Sequence, residues 1–421
     1  MTAHSFAMGC STVLFETAAS ATFLVRFPGS YLPWIYIAAA GVNTVTGTAY
    51  ANVQRRLSFA RLMKGTLWFL LALVLSVRTG FAVSNVAWVA FAGLVSYRVL
   101  SSLTDLEYWA VASRIYDVRQ AKRLFGLIGT GEVVARIVGA FSVQFLVAIG
   151  GVSNLMLVSA GALALCLVLV GAVLRPVAGI HAVPEIPRAK DAAETRAGLR
   201  EIAGSRYLAL VIGVAILATF GKYFVDFAFL EEMTRLPRGG EAQIATFIGV
   251  FNGVAQTLSL LTRVFVSRPL LNRFGIRTGV LVLPIAHAVC AAATVACGVL
   301  GAGTGVVFWL VIVNQGIYDT LKHPIDNASF KVLYQPLKAA QRLAAQITVE
   351  VIFSPVVVGV AGGVMLLFSA GMTYDPVVFS GVLLGNFVLW ALVARSAGRG
   401  YKRKLVDNLR ARIEGNVALP F

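Results

Sequence analysis

Charge is scarce in this chain. Only 13% of its 421 residues are Asp, Glu, Lys or Arg, about half the share found in soluble domains. Acids are scarcer than bases, 19 against 36. With 58% of the residues hydrophobic and a mean hydropathy of +0.80, too few polar side chains remain to coat a soluble globule, so soluble and disordered classes are excluded. Cysteine is nearly absent. Cys10, Cys166, Cys290 and Cys297 each fall inside an apolar run, which leaves no disulfide framework and no metal-type spacing. There is no phosphate-cradling P-loop, no zinc-type His/Glu motif and no assignable Ser/His/Asp set, so neither an enzyme, a cofactor nor a metal is expected. The N-terminus lacks a basic n-region, and its first apolar segment is long enough to stay as a span rather than be cleaved.

What the chain does have is long apolar runs. A span needs about 20 apolar residues to cross about 30 Å of hydrocarbon. Twelve runs qualify, at 3–27, 30–53, 64–78, 84–112, 122–149, 152–174, 203–230, 241–266, 276–300, 305–333, 340–368 and 375–395. The expected class is an all-α polytopic membrane protein, with the lipid bilayer as its solvent. A polar, Pro-bearing segment at 175–200 separates six spans (1–174) from six (201–395), and a basic tail (396–421) follows.

The formal net charge of +17 is placed by topology. Arg55, Arg56, Arg61 and Lys64 follow span 2, and Arg114, Arg119, Lys122 and Arg123 follow span 4. Further clusters follow spans 6, 8, 10 and 12, whereas the alternate loops are nearly bare. Only the loop after span 7 departs, with Arg235 and Arg238 offset by Glu231, Glu232 and Glu241. The positive-inside rule then places both termini in the cytosol of a bacterial inner membrane. Basic charge so distributed does not predict nucleic-acid binding. The tail at 399–414 reads either as a helix on the anionic leaflet or as a solvated extension.

Charges inside the spans point to function, because ionisable groups at that depth face water-filled, protein-lined space. Tyr318 to Asn327, Tyr-Asp-Thr-Leu-Lys-His-Pro-Ile-Asp-Asn, continues span 10, and its Pro324 removes a helix hydrogen bond. Within it Lys322 is the chief candidate for substrate contact, with His323 and Asp326 beside it. Lys222 and Asp226 in span 7 lie four apart on one helix face and can neutralise each other, permanently or until substrate arrives. Glu132 and Arg136 in span 5 have the same spacing and read as a structural pair. Glu16 in span 1 is either a proton or cation site or a partner for Arg98 or Lys222. Arg98 in span 4, with Asp105 two turns on, offers the planar fork that clamps phosphate or carboxylate. Glu350 in span 11 reads equally as a pathway residue or a packing residue, and His287 reads as a packing residue. The Gly-Leu-Ile-Gly-Thr-Gly run at 126–131 reads as a helix-packing stripe.

The two halves echo each other: Tyr116…Arg123-Leu124…Glu132 parallels Tyr334…Arg342-Leu343…Glu350. Leu271-Asn272-Arg273-Phe274-Gly275-Ile276-Arg277 resembles the cytosolic Asp-Arg-x-Gly-Arg-Arg motif of the major facilitator superfamily, with Asn272 in place of the acid. That resemblance implies two pseudo-symmetric six-helix halves around a midplane site. Other stretches resemble the ATP/ADP carrier family and its bacterial relatives: Phe23-Leu24-Val25-Arg26-Phe27…Leu32-Pro33-Trp34-Ile35-Tyr36-Ile37, Tyr108-Trp109-Ala110-Val111-Ala112 with Gln120 to Gly126, Thr246 to Phe251, and Lys322 through Tyr334-Gln335-Pro336-Leu337. Carried over from those carriers, the tenth-span lysine matches Lys322 and the seventh-span acid matches Asp226. The first-span lysine and fourth-span glutamate do not carry over; Ala18 and Tyr97 stand there.

The resemblance and the intramembrane cations together imply a monomeric secondary transporter of a small, organic, anionic solute, a nucleotide among the candidates. Proton-coupled export or flipping of an amphiphile through Glu16, and a non-transporting membrane subunit or sensor, are the alternatives.

Overall fold

A segment surrounded by hydrocarbon must satisfy every backbone N–H and C=O within itself, and a helix does so along its whole length. In a computed structural model, which describes residues 2–54, 56–83, 86–115, 118–174, 205–235, 240–337, 341–342, 345–346, 348–371 and 374–414, all regular structure is helical. The helices are α1 (Thr2–Arg26), α2 (Leu32–Gln54), α3 (Phe59–Val83), α4 (Ala87–Ile115), α5 (Val118–Gly150) and α6 (Val152–Leu174). The second series is α7 (Arg206–Thr234), α8 (Gly240–Leu261), α9 (Ser267–Val299), α10 (Thr304–Leu321), α11 (Asn327–Val332), α12 (Ser354–Gly371) and α13 (Pro376–Glu414).

Among the described residues eight helical runs are long and apolar enough to cross a membrane. One of them, Gly240–Val299, is 60 residues long and holds two expected spans. The remaining three expected spans fall on α2, on α10 with α11, and on α12. The fold is therefore an all-α polytopic membrane fold.

Three expectations are corrected. The third span is not a short 64–78 run: α3 covers 25 residues, Phe59–Val83, because Ala60, Arg61, Leu62 and Met63, just before the apolar window, are good helix formers. The 8–9 connection is not an open loop. Helix continues from α8 through a π turn at Thr262–Val266 into α9, broken only where Gly275 adopts φ 74°, a backbone state that glycine reaches without strain. Nor is the tail separate from the last span, since α13 runs unbroken for 39 residues to Glu414. Its Lys404 ammonium lies 5.4 Å from the Tyr207 ring centroid, so the tail helix rests on the first turn of α7. The segment 175–200 lies outside the described residues.

π turns stand at Thr262–Val266, Lys322–Asp326 and Thr348–Phe353, and each contains or closely precedes a proline: Pro269, Pro324 and Pro355. Proline lacks the N–H for its i−4 bond and its ring crowds that carbonyl. Widening one turn to i→i+5 relieves the crowding while the chain stays helical.

Two units divide the chain by contact. The first comprises Met1–Val183, Leu230–Leu258 and Gly362–Ala370. Its hub is α1, which packs on α4, α5 and α6. A Cβ on Gly9 would stand 2.8 Å from the Ala135 Cβ and 2.9 Å from the Glu132 carbonyl, so α1 and α5 meet there backbone to backbone. Ser11 and Ser159 hydroxyls bond at 2.8 Å between α1 and α6. Lipid gives helices no hydrophobic reason to associate, and small residues with interhelical hydrogen bonds supply the contact instead. Gly131, the last residue of the glycine run, also lies against Ser5 and Thr2 of α1, in keeping with a packing stripe.

In the same unit α8 lies on α5, and the C-terminal part of α12 lies on α2. A Cβ on Gly249 would stand 2.9 Å from the Ala140 carbonyl, and one on Gly362 would stand 2.9 Å from the Pro33 carbonyl. Beside these contacts Arg26, ending α1, forms an ion pair with Glu241, opening α8. Arg235 pairs with Glu232 at 3.4 Å. Two of the acids that broke the charge pattern after span 7 are thus ion-paired, whereas Arg238 lies outside the described residues.

The second unit comprises Pro184–Phe229, Ser259–Ala361 and Gly371–Phe421. Here α9 packs on α13 and α10. Phe220, Phe224 and Phe379 stack with ring centroids 4.3 and 5.2 Å apart. His287 stacks on Phe387 at 4.7 Å and shares a 2.6 Å hydrogen bond with the Asn314 side-chain oxygen. It is a buried histidine whose packing and polar needs are both met.

Candidate functional site

Each unit carries one polar cluster of its own. In the first, α1 supplies Glu16, α4 supplies Tyr97, Arg98 and Asp105, and α5 supplies Glu132 and Arg136. One turn separates Glu132 from Arg136, and the guanidinium meets the carboxylate at 2.9 and 3.0 Å. Tyr97 hydrogen-bonds Glu16 and lies within electrostatic reach of Arg98 and Arg136. The Arg98 guanidinium stands 5.6 Å from the Tyr36 ring centroid and 5.5 Å from that of Tyr97. An arginine held over aromatic faces keeps its charge in an apolar setting, because the ring quadrupole replaces part of its lost hydration. The structure thus brings Glu16, Arg98, Glu132 and Arg136 into one neighbourhood.

Ala18 is fully buried. The α1 face that carries it packs against protein. Glu16, two residues earlier, is only part-buried.

In the second unit the π turn sets the geometry. Lys322 and Asp326 are its first and last residues, and the Lys322 Nζ donates to the Asp326 Oδ2 at 2.6 Å. Asp326 is 3% exposed and Lys322 20%. The pair therefore points a partly accessible ammonium outward from a buried carboxylate. Both residues line a cavity of about 310 Å³, with Thr219 on α7, Phe330 and Lys331 on α11, Tyr334, and Gln346. That volume is at the lower end of small-molecule sites. Phe330 and Tyr334 form an edge-on pair 5.4 Å apart, so the cavity offers cations and aromatic surface together.

The remaining predicted residues divide. Lys222 lies within electrostatic reach of Lys322 and close to Tyr318, and its ammonium lies 5.1 Å from the Tyr223 ring centroid. Asp226, one turn on, is part-buried. His323 is exposed and faces Asn327 at 3.3 Å. Gln315 donates to Asp319 at 3.1 Å. The Glu350 side chain lies outside the described residues.

Sequence reading missed one buried pair. His4 on α1 and Glu107 on α4, 1% and 0% exposed, approach to 3.5 Å, and neither Glu107 oxygen has a hydrogen-bond partner. The signal was available, since Glu107 is a carboxylate in span 4. Lys331, Phe330 and Tyr334 were also passed over as cavity residues, because only the helical continuation after the π turn carries them to one wall.

No family model matches the chain, and no curated protein sequence matches it significantly. Similarity to solved structures is extensive. A crystal structure of the nucleoside transporter NupG superposes with a TM-score of 0.65 at 14% identity, covering 94% of this chain and 97% of that one. A bacterial homologue of the iron transporter ferroportin, in an inward-facing state, gives 0.62 at 14% identity over 94% and 98%. A bacterial metal transporter gives 0.57 at 15% identity over the same shares. The chain shares the fold of these transporters. At these identities the likeness extends to the fold and does not select a substrate.

Proposed function

We propose that the chain is a secondary active transporter, not an enzyme, that moves a small organic anion across the membrane by alternating exposure of its site. The observation that carries this reading is the Lys322–Asp326 pair, held in a π turn and opening onto a cavity that also presents Lys331, Phe330 and Tyr334. An ammonium matched by a single carboxylate and open to a cavity can exchange that partner for a solute's phosphate or carboxylate. The aromatic pair suits a planar ring attached to it. Lys222 and Asp226 in the second unit, with Arg98 and Glu16 in the first, are the further proposed contacts, and Glu132–Arg136 is a structural pair. The resemblance to ATP/ADP carriers makes nucleotides and phosphorylated metabolites the first solutes to test.

The proposed organisation keeps the two six-helix halves, 1–174 and 201–395, joined by the linker 175–200 and followed by the tail 396–421. Both termini face the cytosol, and the protein works as a monomer without a cofactor. Uptake into proteoliposomes, measured against nucleotides, nucleosides, phosphorylated metabolites and organic acids, is expected to single out an anion. That anion should also raise the melting temperature. If every anion is inert in both measurements while a neutral solute is moved, the assignment fails.

A second reading draws support from the Tyr97–Glu16 hydrogen bond. Under it Glu16 is the group that exchanges a proton with each transport cycle, coupling export of an amphiphile to a pH gradient. Under that reading Glu16→Gln abolishes stimulation by an imposed pH gradient and leaves counterflow exchange intact. Equal gradient stimulation in the variant and the parent removes it.

A further inference from the structure

The cavity of about 780 Å³ between α9 and α13 shares no lining residue with the cavity around Lys322, and its lining changes character along its length. Leu281, Ile285 and Val289 on α9 recur at helical spacing and face Val388 and Leu392 on α13. Ile285, Val289, Val388 and Leu392 are each between 46% and 65% exposed, so this is an open, apolar-walled groove. At one end the walls become basic, with Arg277 on α9 and Arg395 and Lys402 on α13. No acidic side chain lines it.

We propose that this groove binds one anionic phospholipid, with the phosphate against Arg277, Arg395 and Lys402 and an acyl chain along the apolar walls. The length supports a lipid over a free anion. Arg277 to Val289 is twelve residues, about 18 Å of helix, close to the roughly 15 Å depth of one leaflet's hydrocarbon. Basic pockets between helices at the membrane surface recognise anionic head groups in this manner. Two glycines shape the basic end. Gly275 turns the chain at φ 74° just before Arg277. Gly398 leaves room for the Arg277 stem, whose Cγ a Cβ there would meet at 3.0 Å. The site needs only that these helices lie in a bilayer, and it is independent of the solute moved.

The test is native mass spectrometry of the full chain in mild detergent, with phosphatidylglycerol, phosphatidylcholine of the same chains, diacylglycerol or inorganic phosphate added. Phosphatidylglycerol is expected to stay bound as a single adduct and the other three not. Replacing Arg277, Arg395 and Lys402 together by alanine should weaken that binding about a hundredfold. Should that variant fail to fold, Leu392→Trp, which fills the groove and keeps every cation, should abolish the adduct by itself. Retention by phosphate alone assigns a free-anion site and overturns the proposal. So does an adduct that survives both variants, and so does a stable dimer that excludes lipid, which would mean that a second copy covers the groove.

Discussion

Lys322→Ala is expected to reduce solute uptake to background, the largest loss of any single substitution in this chain. The variant removes the ammonium that the cavity presents and also strands Asp326, whose carboxylate is 3% exposed. Removing one partner of such a pair is strongly destabilising, about 3 kcal/mol where one side opens onto a cavity. Loss of uptake alone would therefore not separate a substrate contact from a structural pair. The double variant Lys322→Ala/Asp326→Ala does so. With both charges gone the desolvation penalty disappears, so its melting temperature should return close to the parent's while uptake stays at background. Lys322→Arg should retain part of the uptake, since the charge remains but the planar fork does not match the ammonium's place in the turn. Uptake within about twofold of the parent in the double variant, at equal incorporation, would show the pair to be scaffolding.

How much of this was legible in the sequence depends on whether the property is local. Apolar runs anticipated an all-helical membrane fold, with eight helical runs among the described residues long and apolar enough to cross, because hydrocarbon thickness and backbone satisfaction act on each segment separately. The i,i+4 spacing of Glu132 and Arg136 predicted their contact for the same reason. Boundaries failed where helix continued past the apolar window, as at α3 and at Gly275, since hydropathy reports the membrane and not the hydrogen-bond ladder. Pro324 is legible in Tyr318–Asn327 as a lost helix hydrogen bond. The structure resolves that loss as a π turn, with the helix continuing beyond it. Lys331 and Tyr334, which follow the turn, line the cavity with Lys322. Partners brought from distant segments were not readable at all: nothing in the loop after span 7 says that Glu241 meets Arg26, 215 positions away.

That ion pair carries the second large prediction. Arg26 and Glu241 are 23% and 26% exposed, and in the same unit the Gly249 and Gly362 contacts join α8 to α5 and α12 to α2. Within the proposed two-half scheme, α1, α2 and α5 come from one sequence half and α8 and α12 from the other. Their contact at this end is therefore one that alternating exposure must break in every cycle. Charge reversal, Arg26→Glu, sets two carboxylates against each other and should shift the equilibrium away from this closed end by about 1–3 kcal/mol, some 5- to 150-fold. Measured as labelling of a cysteine placed at Gly362, accessibility should rise by that order while uptake falls. The swapped double variant, Arg26→Glu/Glu241→Arg, should recover both, because the attraction is restored with opposite sense. A purely structural surface pair would change neither measurement by more than about twofold. If the single reversal leaves labelling unchanged, the contact at this end does not open during transport, and the alternating scheme must find its moving parts elsewhere.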